Sequence, residues 1–458
     1  MKHATFILLG LAAMVGMVFY LAHLGEPRLL DYETKTEPER RPTPISVMIS
    51  DDKEAWIQEA VNEFGRARPD IDIDIHVMST MDGLNAILAR RITPTVWSPS
   101  ESMAIDYLRY RWDDEFGTKL FELEGEDKPQ SLARSPLVWM SWRDRIEALQ
   151  AALDQKRVEP DQLWAEVACA GVEYDADKDR DPSPQNWIDA RPFAGLTGIP
   201  SNPHNKPMSE WGEIKFAHSD PTRSSAGLAT IYLMAYGFPA RKPVLTNPAV
   251  PLQAADPANP SGPPRAGLDD LRLRDQPFMT WFRRCQRLRR NFLASLQTLT
   301  HRISQFRAKD YDIVVTYENL ALETLTKSKS NGSEQPYVFY PPVTAWADHP
   351  IAILNSVEIK ADQRNAAREL IAFLRAPERQ RMLVKYGLRP YEPGLLRSLS
   401  RDKGDLDDQS IKADKNLFVA GARFNARIAP EPGTVVRAPN GEVIDRLLLL
   451  WRRATGYY

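Results

Sequence analysis

Cysteine is almost missing from this chain: Cys169 and Cys285 are the only two among 458 residues. Two thiols exclude a disulfide-stapled scaffold and any cysteine-based zinc site. Both sit in helix-like contexts where a buried thiol is the ordinary state, and their distance along the chain leaves pairing open. Charge imbalance is missing too. Lys plus Arg number 59 against 61 Asp plus Glu, so the chain lacks the basic footprint of a nucleic-acid binder. There is no G-x-S-x-G elbow, and one-residue spacing does not aim His218 at Ser219, which removes a hydrolase built on His218, Ser219 and Asp220. His204, His218 and His349 have no metal-ligand spacing. Asp175, Asp177, Asp179 and Asp181 alternate like a calcium loop, but Arg180 and Asn186 stand where such a loop needs Gly and Glu. A solvated acidic loop is expected there. No enzyme, metal or cofactor is expected of the chain.

From Ala4 to Ala22 no residue is charged, and only Thr5 is plainly polar. As a helix this run spans about 28 Å, close to the hydrocarbon thickness of a bilayer. It leaves through Leu21-Ala22-His23-Leu24-Gly25, a poor cleavage site, with no nearby cysteine for lipidation. Lys2 ahead of the run orients it N-in. The expectation is an uncleaved signal anchor over residues 1–25, a proline-punctuated tether over 26–44, and the bulk of the chain outside the cytoplasm.

Beyond the tether the chain is rich in short apolar runs that end in small hydroxyl or acidic residues. ISVMIS (45–50) reads as a buried strand, then Trp56, Ile57, Ala60, Val61 and Phe64 repeat at helical spacing. IDIDIHVM alternates, with Ile71, Ile73, Ile75 and Val77 on one face. A helix with Leu84, Ile87 and Leu88 comes next, then a third strand, PTVWSPS. Such a series predicts parallel strands with crossover helices, and ligands of open sheets collect beyond the carboxyl ends of the strands. Ser50, Asp51, Ser79, Thr80, Ser98 and Ser100 occupy those ends. Each one alone reads as a helix cap; three hydroxyl loops at successive strand ends point to a crevice.

Farther on, SPLVWMSW (135–142) is a strand, and KFAHSDPTRSSAGLATIYLMAYG (215–237) is a strand, a turn and a helix. That helix carries Leu228, Ile231 and Ala235 on one face, with Gly237 as its C-terminal cap. Residues 243–277 are proline-rich and read as a surface insertion. A basic helix over 281–307 presents Arg283, Arg284, Arg287, Arg289 and Arg290 as a solvated face. DIVVTYENLALE, YVFYPP and HPIAIL are strands, and GEVIDRLLLLWRRAT is a closing helix too short to span a membrane.

Four of these stretches, KFAHSDPTRSSAGLATIYLMAY, DIVVTYENLALE, FYPPVTAWADHPIAIL and APERQRMLVKYGLRP, resemble the bacterial extracellular solute-binding proteins of type II fold. The likeness is to the group often joined to a von Willebrand factor A domain, itself similar to molybdate- and sulfate-type binding proteins. The proline-rich insertion departs from that pattern. The resemblance implies an α/β, two-lobed type II periplasmic-binding fold, each lobe a mostly parallel sheet flanked by helices, preceded by one N-terminal transmembrane helix. Lobe 1 would comprise 45–138 and 340–458, with lobe 2 at 139–339 and crossings near 136–139 and 339–342. The implied role is capture of a small polar solute for an ABC-type permease or an associated membrane complex. The alternative is an interaction protein of the same fold that works with a separate von Willebrand factor A partner.

The turn Ser219–Gly227 is then the second-lobe counterpart of Ser50 and Ser79, with Asp220, Thr222, Ser224 and Ser225 as ligand contacts. Tyr317 and Glu318 would face the same crevice from the end of their strand. An unpaired carboxylate about 6 Å from an anion costs roughly 3 kcal/mol at an effective dielectric of 20. Asp51, Asp220 and Glu318 therefore count against a bare oxyanion, and the ligand stays open at this point.

Overall fold

The computed structural model describes residues 41–172, 183–199, 206–238, 273–288, 295–306, 310–327, 336–392, 394–395, 416–427, 434–436 and 438–456. The chain divides into two units, 1–42 and 43–458. The expected anchor, most of the tether and the acidic loop at Asp175–Asp181 lie outside the described residues. Among the described residues no helix is long and apolar enough to cross a membrane.

Two sheets organise the second unit. The first is built from β1 (Thr43–Ile49), β2 (Ile71–Val77), β3 (Val96–Ser98), β4 (Gln130–Ser131) and the late-returning β11 (Pro350–Ile353), in the order β2-β1-β3-β11-β4. Helices α1 (Glu54–Ala67), α2 (Thr80–Leu88) and α3 (Ser102–Phe116) follow its first three strands. β1 runs parallel to β2 and β3, as crossover helices require. In β1, Ile45, Val47, Met48 and Ile49 are buried because helices cover both faces of a central strand. The alternating face of β2 fades along its length: Ile71 is buried, Ile73 and Ile75 are half-buried, and Val77 is exposed. β2 is the edge of the sheet, where cover runs out.

The second sheet centres on β5 (Ala133–Ser141), the strand expected at 135–142. Helices α4 (Arg143–Asp154) and α5 (Leu163–Ala168) lead to β6 (Phe216–Ala217) and α6 (Ser225–Tyr236). Then come α7 (Gln276–Leu288), α8 (Leu296–Phe306), β7 (Ile313–Tyr317) and α9 (Glu318–Lys327). Strands β8 (Tyr337–Phe339), β9 (Val343–Thr344), β10 (Trp346–Ala347) and β11 (Pro350–Ile353) lead back to the first sheet, where β11 pairs with β3. Helices α10 (Ala361–Arg375) and α11 (Pro377–Met382) and strand β12 (Arg389–Pro390) follow, then α12 (Leu417–Gly421), β13 (Thr434–Val435) and α13 (Gly441–Thr455). The last helix packs on α3 and α7.

Several expectations are corrected. The second sheet is not mostly parallel: β5 meets β7, β8, β10 and β12 antiparallel, and only β6 with β7 is parallel among its described pairs. The reason is that β5 is the common partner, and the chain comes back to it in the opposite direction. DIVVTYENLALE is not all strand; β7 ends at Tyr317 and Glu318 opens α9. The basic helix at 281–307 is two helices, parted at Ser295. Phe278, Trp281, Phe282 and Cys285 of α7 join one apolar core while Leu299 and Ile303 of α8 join another, so one straight rod does not serve both. The insertion placed at 243–277 ends earlier, since Leu273 is buried and α7 begins at Gln276. Of the arginine run, Arg283 and Arg287 are exposed and Arg284 is half-buried, while Arg289 and Arg290 lie outside the described residues.

α6 is buried along every residue rather than on one face. Gly237 does cap it, but at φ −79° and not in the left-handed region. A Cβ at Gly237 would lie 2.7 Å from the Asp161 carbonyl oxygen, so close packing is what requires glycine there. Cys169, at the end of α5, and Cys285, in α7, form a disulfide with Cα atoms 5.0 Å apart. It closes a loop of 116 residues, which the chain-entropy model values at about 4–5 kcal/mol.

Candidate ligand-binding site

The loops after β1, β2 and β3 bring Ser50–Lys53, Ser79–Thr80 and Ser98–Glu101 to one end of the first sheet. The Ser219–Ser225 turn after β6, Tyr317 at the end of β7 and Leu296 at the start of α8 meet them from the second. Between these walls lies a crevice of about 290 Å³, part of it open to solvent, lined by Asp51, Asp52, Ser79, Thr80, Ser100, Ser224, Ser225, Leu296 and Tyr317. Of the expected residues, Asp51, Ser79, Thr80, Ser100, Ser224, Ser225 and Tyr317 come together here.

Two helix starts oppose one another across it. Ser79 is the N-cap of α2 and Ser224 the N-cap of α6, and neither side chain caps its own helix. The first-turn N–H groups of such helices carry partial positive charge. Gly227 lets the chain turn this tightly. A Cβ there would fall 2.9 Å from the Asp220 carbonyl carbon and closer still to the Ser219 oxygen.

The walls also touch directly. Ser79 Oγ donates to the Arg223 carbonyl at 2.8 Å, and the Arg223 guanidinium pairs with Asp82 at 3.0 Å. Tyr317 donates to Glu101 Oε1 at 2.5 Å and shares a 3.0 Å bond with Ser225. Asn319 Nδ2 donates to the Asp52 carbonyl at 2.7 Å, and Gln297 Nε2 to that of Asp51 at 3.0 Å. Thr80 and Ser100 hydroxyls bond one another at 2.9 Å.

The remaining expected contacts lie elsewhere. Ser50 sits behind the wall and donates to Asp52 Oδ1 at 2.6 Å. Ser98 is fully buried and donates to the Pro350 carbonyl at 2.7 Å, tying β3 to β11. Asp220 and Thr222 serve their own turn: Asp220 Oδ1 accepts from Thr222 N at 2.8 Å and from its hydroxyl at 2.7 Å. Glu318 does not face the crevice. Its carboxylate receives Arg389 at 2.7 and 2.8 Å and Tyr340 OH at 2.6 Å; Glu318 and Arg389 are buried and Tyr340 is half-buried.

Electrostatics sort the carboxylates further. Burial, and next the charge of Asp52, push Asp51 up to about 6. Burial also opposes the charge of Asp52, but the Lys53 ammonium, then His349, and then the Ser50 and Ser100 hydroxyls hold its carboxyl below the usual range. Lys53 donates to Ser50 Oγ and to the Pro99 carbonyl. Burial drives His349 down to about 3 against the pull of Asp52, so its imidazole is neutral at pH 7. Burial keeps Glu101 well above the carboxylate range. Reading the sequence missed Asp52, Leu296, Glu101 and His349 as groups of this site. The doubled acid after β1 was a usable signal for Asp52; nothing local marks Leu296.

The family model for "Bacterial extracellular solute-binding protein" matches residues 45–389. The chain belongs to that family. That family is one of extracellular solute-binding proteins, not of enzymes. A thiosulfate-binding protein of Pseudomonas aeruginosa is 28% identical over 127 residues, 26% of this chain. The chain thus spans 37% of the length of that relative. Among solved structures, maltose-bound MalE3 of T. maritima is 11% identical with a TM-score of 0.49, covering 91% of this chain and 94% of that one. Iron-bound HitA of Pseudomonas aeruginosa is 12% identical with a TM-score of 0.47, covering 90% and 99%. The fructose-6-phosphate-bound periplasmic protein AfuA of Actinobacillus pleuropneumoniae is 11% identical with a TM-score of 0.47, covering 91% and 99%.

Proposed function

We propose that this solute-binding protein captures a small oxyanion-type solute in the crevice between Ser79–Thr80 and Ser224–Ser225, and presents it to an ABC-type permease while held at the membrane by residues 4–22. The observation that carries the ligand class is the pair of helix starts on the two walls, neither with its backbone N–H groups capped by its own N-cap side chain. Two of the three carboxylates that counted against an anion are engaged elsewhere, Asp220 in its turn and Glu318 with Arg389. The stretch shared with a thiosulfate-binding protein points the same way. The Cys169–Cys285 disulfide agrees with an oxidising compartment.

In this reading the lobes are 45–138 with 340–458, and 139–339, and closure of one on the other grips the solute. Ser50, Ser98, Asp220 and Thr222 shape the loops, while the crevice residues touch the ligand.

The test is titration of the full-length protein, purified in detergent, with phosphate, sulfate, thiosulfate, molybdate, sugars and amino acids. An anion should raise the melting temperature in wild type and have no effect on Ser225→Trp. Silence across the whole panel would sink the receptor reading and favour an interaction protein of the same fold.

A further inference from the structure

The near-balance of charge over the whole chain breaks down in two places. Residues 276–309 hold eight Lys or Arg and no Asp or Glu, and 446–458 hold three and none, in a chain of net charge −2. The helices in these stretches, α7 and α13, pack on one another. Arg274, just ahead of α7, pairs with Glu442 in the first turn of α13 at 3.7 Å. Arg287, in the last turn of α7, donates to the Ala454 carbonyl in the last turn of α13 at 3.4 Å. The two helices therefore run side by side in the same sense, and their basic C-terminal ends come together.

At the opposite ends Glu442 takes both Arg274 and Arg446. Arg283, Arg287, Arg452 and Arg453 are exposed, and among the described residues none of the four is in an ion pair. The macrodipole accounts for cations in a last turn, hence for Arg287, Arg452 and Arg453. It does not account for Arg283, a full turn earlier, or for Leu449, which is 43% exposed on the face of Arg452 and Arg453. The surface is also preformed. Cys285 of α7 is bonded to Cys169, and Trp451 of α13 is fully buried, so both helices are held from behind.

Clustered like charges repel one another, and a polyanion relieves that repulsion. Fixed guanidinium groups with an exposed leucine beside them match a bilayer better than an acidic peptide, because phosphates there lie over an apolar layer. Residues 4–22, read above as the anchor, put the chain beside such a surface. Residues 26–44 span at most about 65 Å when fully extended, which keeps the folded part within reach of it.

We propose that the joined C-terminal ends of α7 and α13 form a membrane-facing surface that docks on anionic phospholipid: Arg283, Arg287, Arg452 and Arg453 meet the head-group phosphates, and Leu449 enters the interface. This rests on the part of the functional reading that keeps the chain at a bilayer, and is independent of the solute.

The test places full-length protein in nanodiscs of phosphatidylcholine alone or of phosphatidylcholine with equimolar phosphatidylglycerol. Arginines are labelled with phenylglyoxal and followed by peptide mass spectrometry. The four arginines should react at least about threefold more slowly on the anionic discs, and Arg66, exposed on α1, equally on both. The difference should vanish in about 1 M salt, where the Debye length is about 3 Å. Reversing the charge of Arg452→Glu and Arg453→Glu together should also deprotect Arg283 and Arg287. Retention on zwitterionic discs reports the anchor by itself. Protein retained there, with its four arginines equally reactive on both discs, would overturn the surface, leave the anchor standing and point to an acidic protein as partner. Protein lost from zwitterionic discs yet held and protected on anionic ones would overturn the anchor and support the surface. Protein lost from both would overturn both.

Discussion

Asp52 and Glu318 are two versions of one arrangement. Each follows a buried strand, each starts a helical turn, each is shut away from solvent, and each has a basic partner. Glu318 meets the planar fork of Arg389 with both oxygens and takes Tyr340 besides. Asp52 meets the single ammonium of Lys53 through Oδ1, which also takes Ser50, while its buried Oδ2 has His349 Nδ1 at 3.8 Å. A guanidinium fork satisfies a carboxylate completely, whereas a point charge leaves part of it over. The difference separates a carboxylate matched on both oxygens from one matched on a single oxygen.

The sharpest way to break this comparison is Glu318→Gln. Arg389 cannot give up its proton, so the substitution strands a buried charge. The expected loss is about 3–5 kcal/mol in urea unfolding at pH 7. A loss under about 1 kcal/mol would mean that Arg389 is not held as a buried charge.

Asp52→Asn should cost less, about 1–3 kcal/mol. Burial already pulls the Lys53 ammonium below its ordinary range, so without Asp52 it can shed its proton in the folded state. A lysine whose folded value is depressed costs stability in full below that value, and progressively less as pH rises from it towards the unfolded value. The deficit of this variant should therefore shrink as pH rises from 7 towards 10. The deficit of Glu318→Gln should stay flat over the same range. Parallel denaturation curves at pH 7 and 9.5 would show whether the two slopes differ.

Asp51 provides the third contrast, a carboxylate in no ion pair among the described residues beside one that has Lys53. Its folded value of about 6 lies above the unfolded value near 3.8. The folded state thus binds the proton more tightly, and its advantage is lost as pH climbs from about 4 through 6. Because Asp51 is only half-buried, roughly 1–2 kcal/mol is the expected size. Asp51→Asn should exceed wild type in stability by that amount at pH 7.5 and match it at pH 4. His349, neutral when folded, destabilises both proteins alike in acid and cancels in the difference. Equal stability at both pH values would count against the raised carboxyl.

How much of this was legible beforehand depends on how local each cause is. The alternation from β1 to β3 was readable because apolar runs of five or six residues stop at Ser, Thr or Asp, and the helices between them keep a strict apolar period. The same rule located Ser79 and Ser100 on the crevice wall, and the resemblance added Ser225. It failed at Glu318, since the side of the sheet on which that carboxylate emerges is set by the first turn of α9 and by Arg389, 71 residues away. It also left the cysteines undecided, because α5 and α7 meet only after 116 residues have folded. Ser98 was misplaced for a related reason. A serine at a strand end can face the cleft or the next strand, and here β11, arriving from residue 350, takes its hydroxyl.

The smallest effect belongs to the exposed relative of these buried pairs. Arg223 and Asp82 join the two walls at the mouth of the crevice at 3.0 Å, with side chains 51% and 36% exposed. Water screens such a pair, so Asp82→Ala should change unfolding stability by only about 0.2–1 kcal/mol. Its effect on closure is separable from its effect on folding. The pair forms only when the walls meet, whereas Ser79 Oγ keeps its bond to the Arg223 carbonyl in the variant. Up to 1 kcal/mol removed from the closed state weakens ligand binding by no more than about fivefold. That loss should fade in about 1 M salt, where the Debye length falls to about 3 Å. A loss beyond tenfold, or one indifferent to salt, would place Asp82 among the ligand contacts.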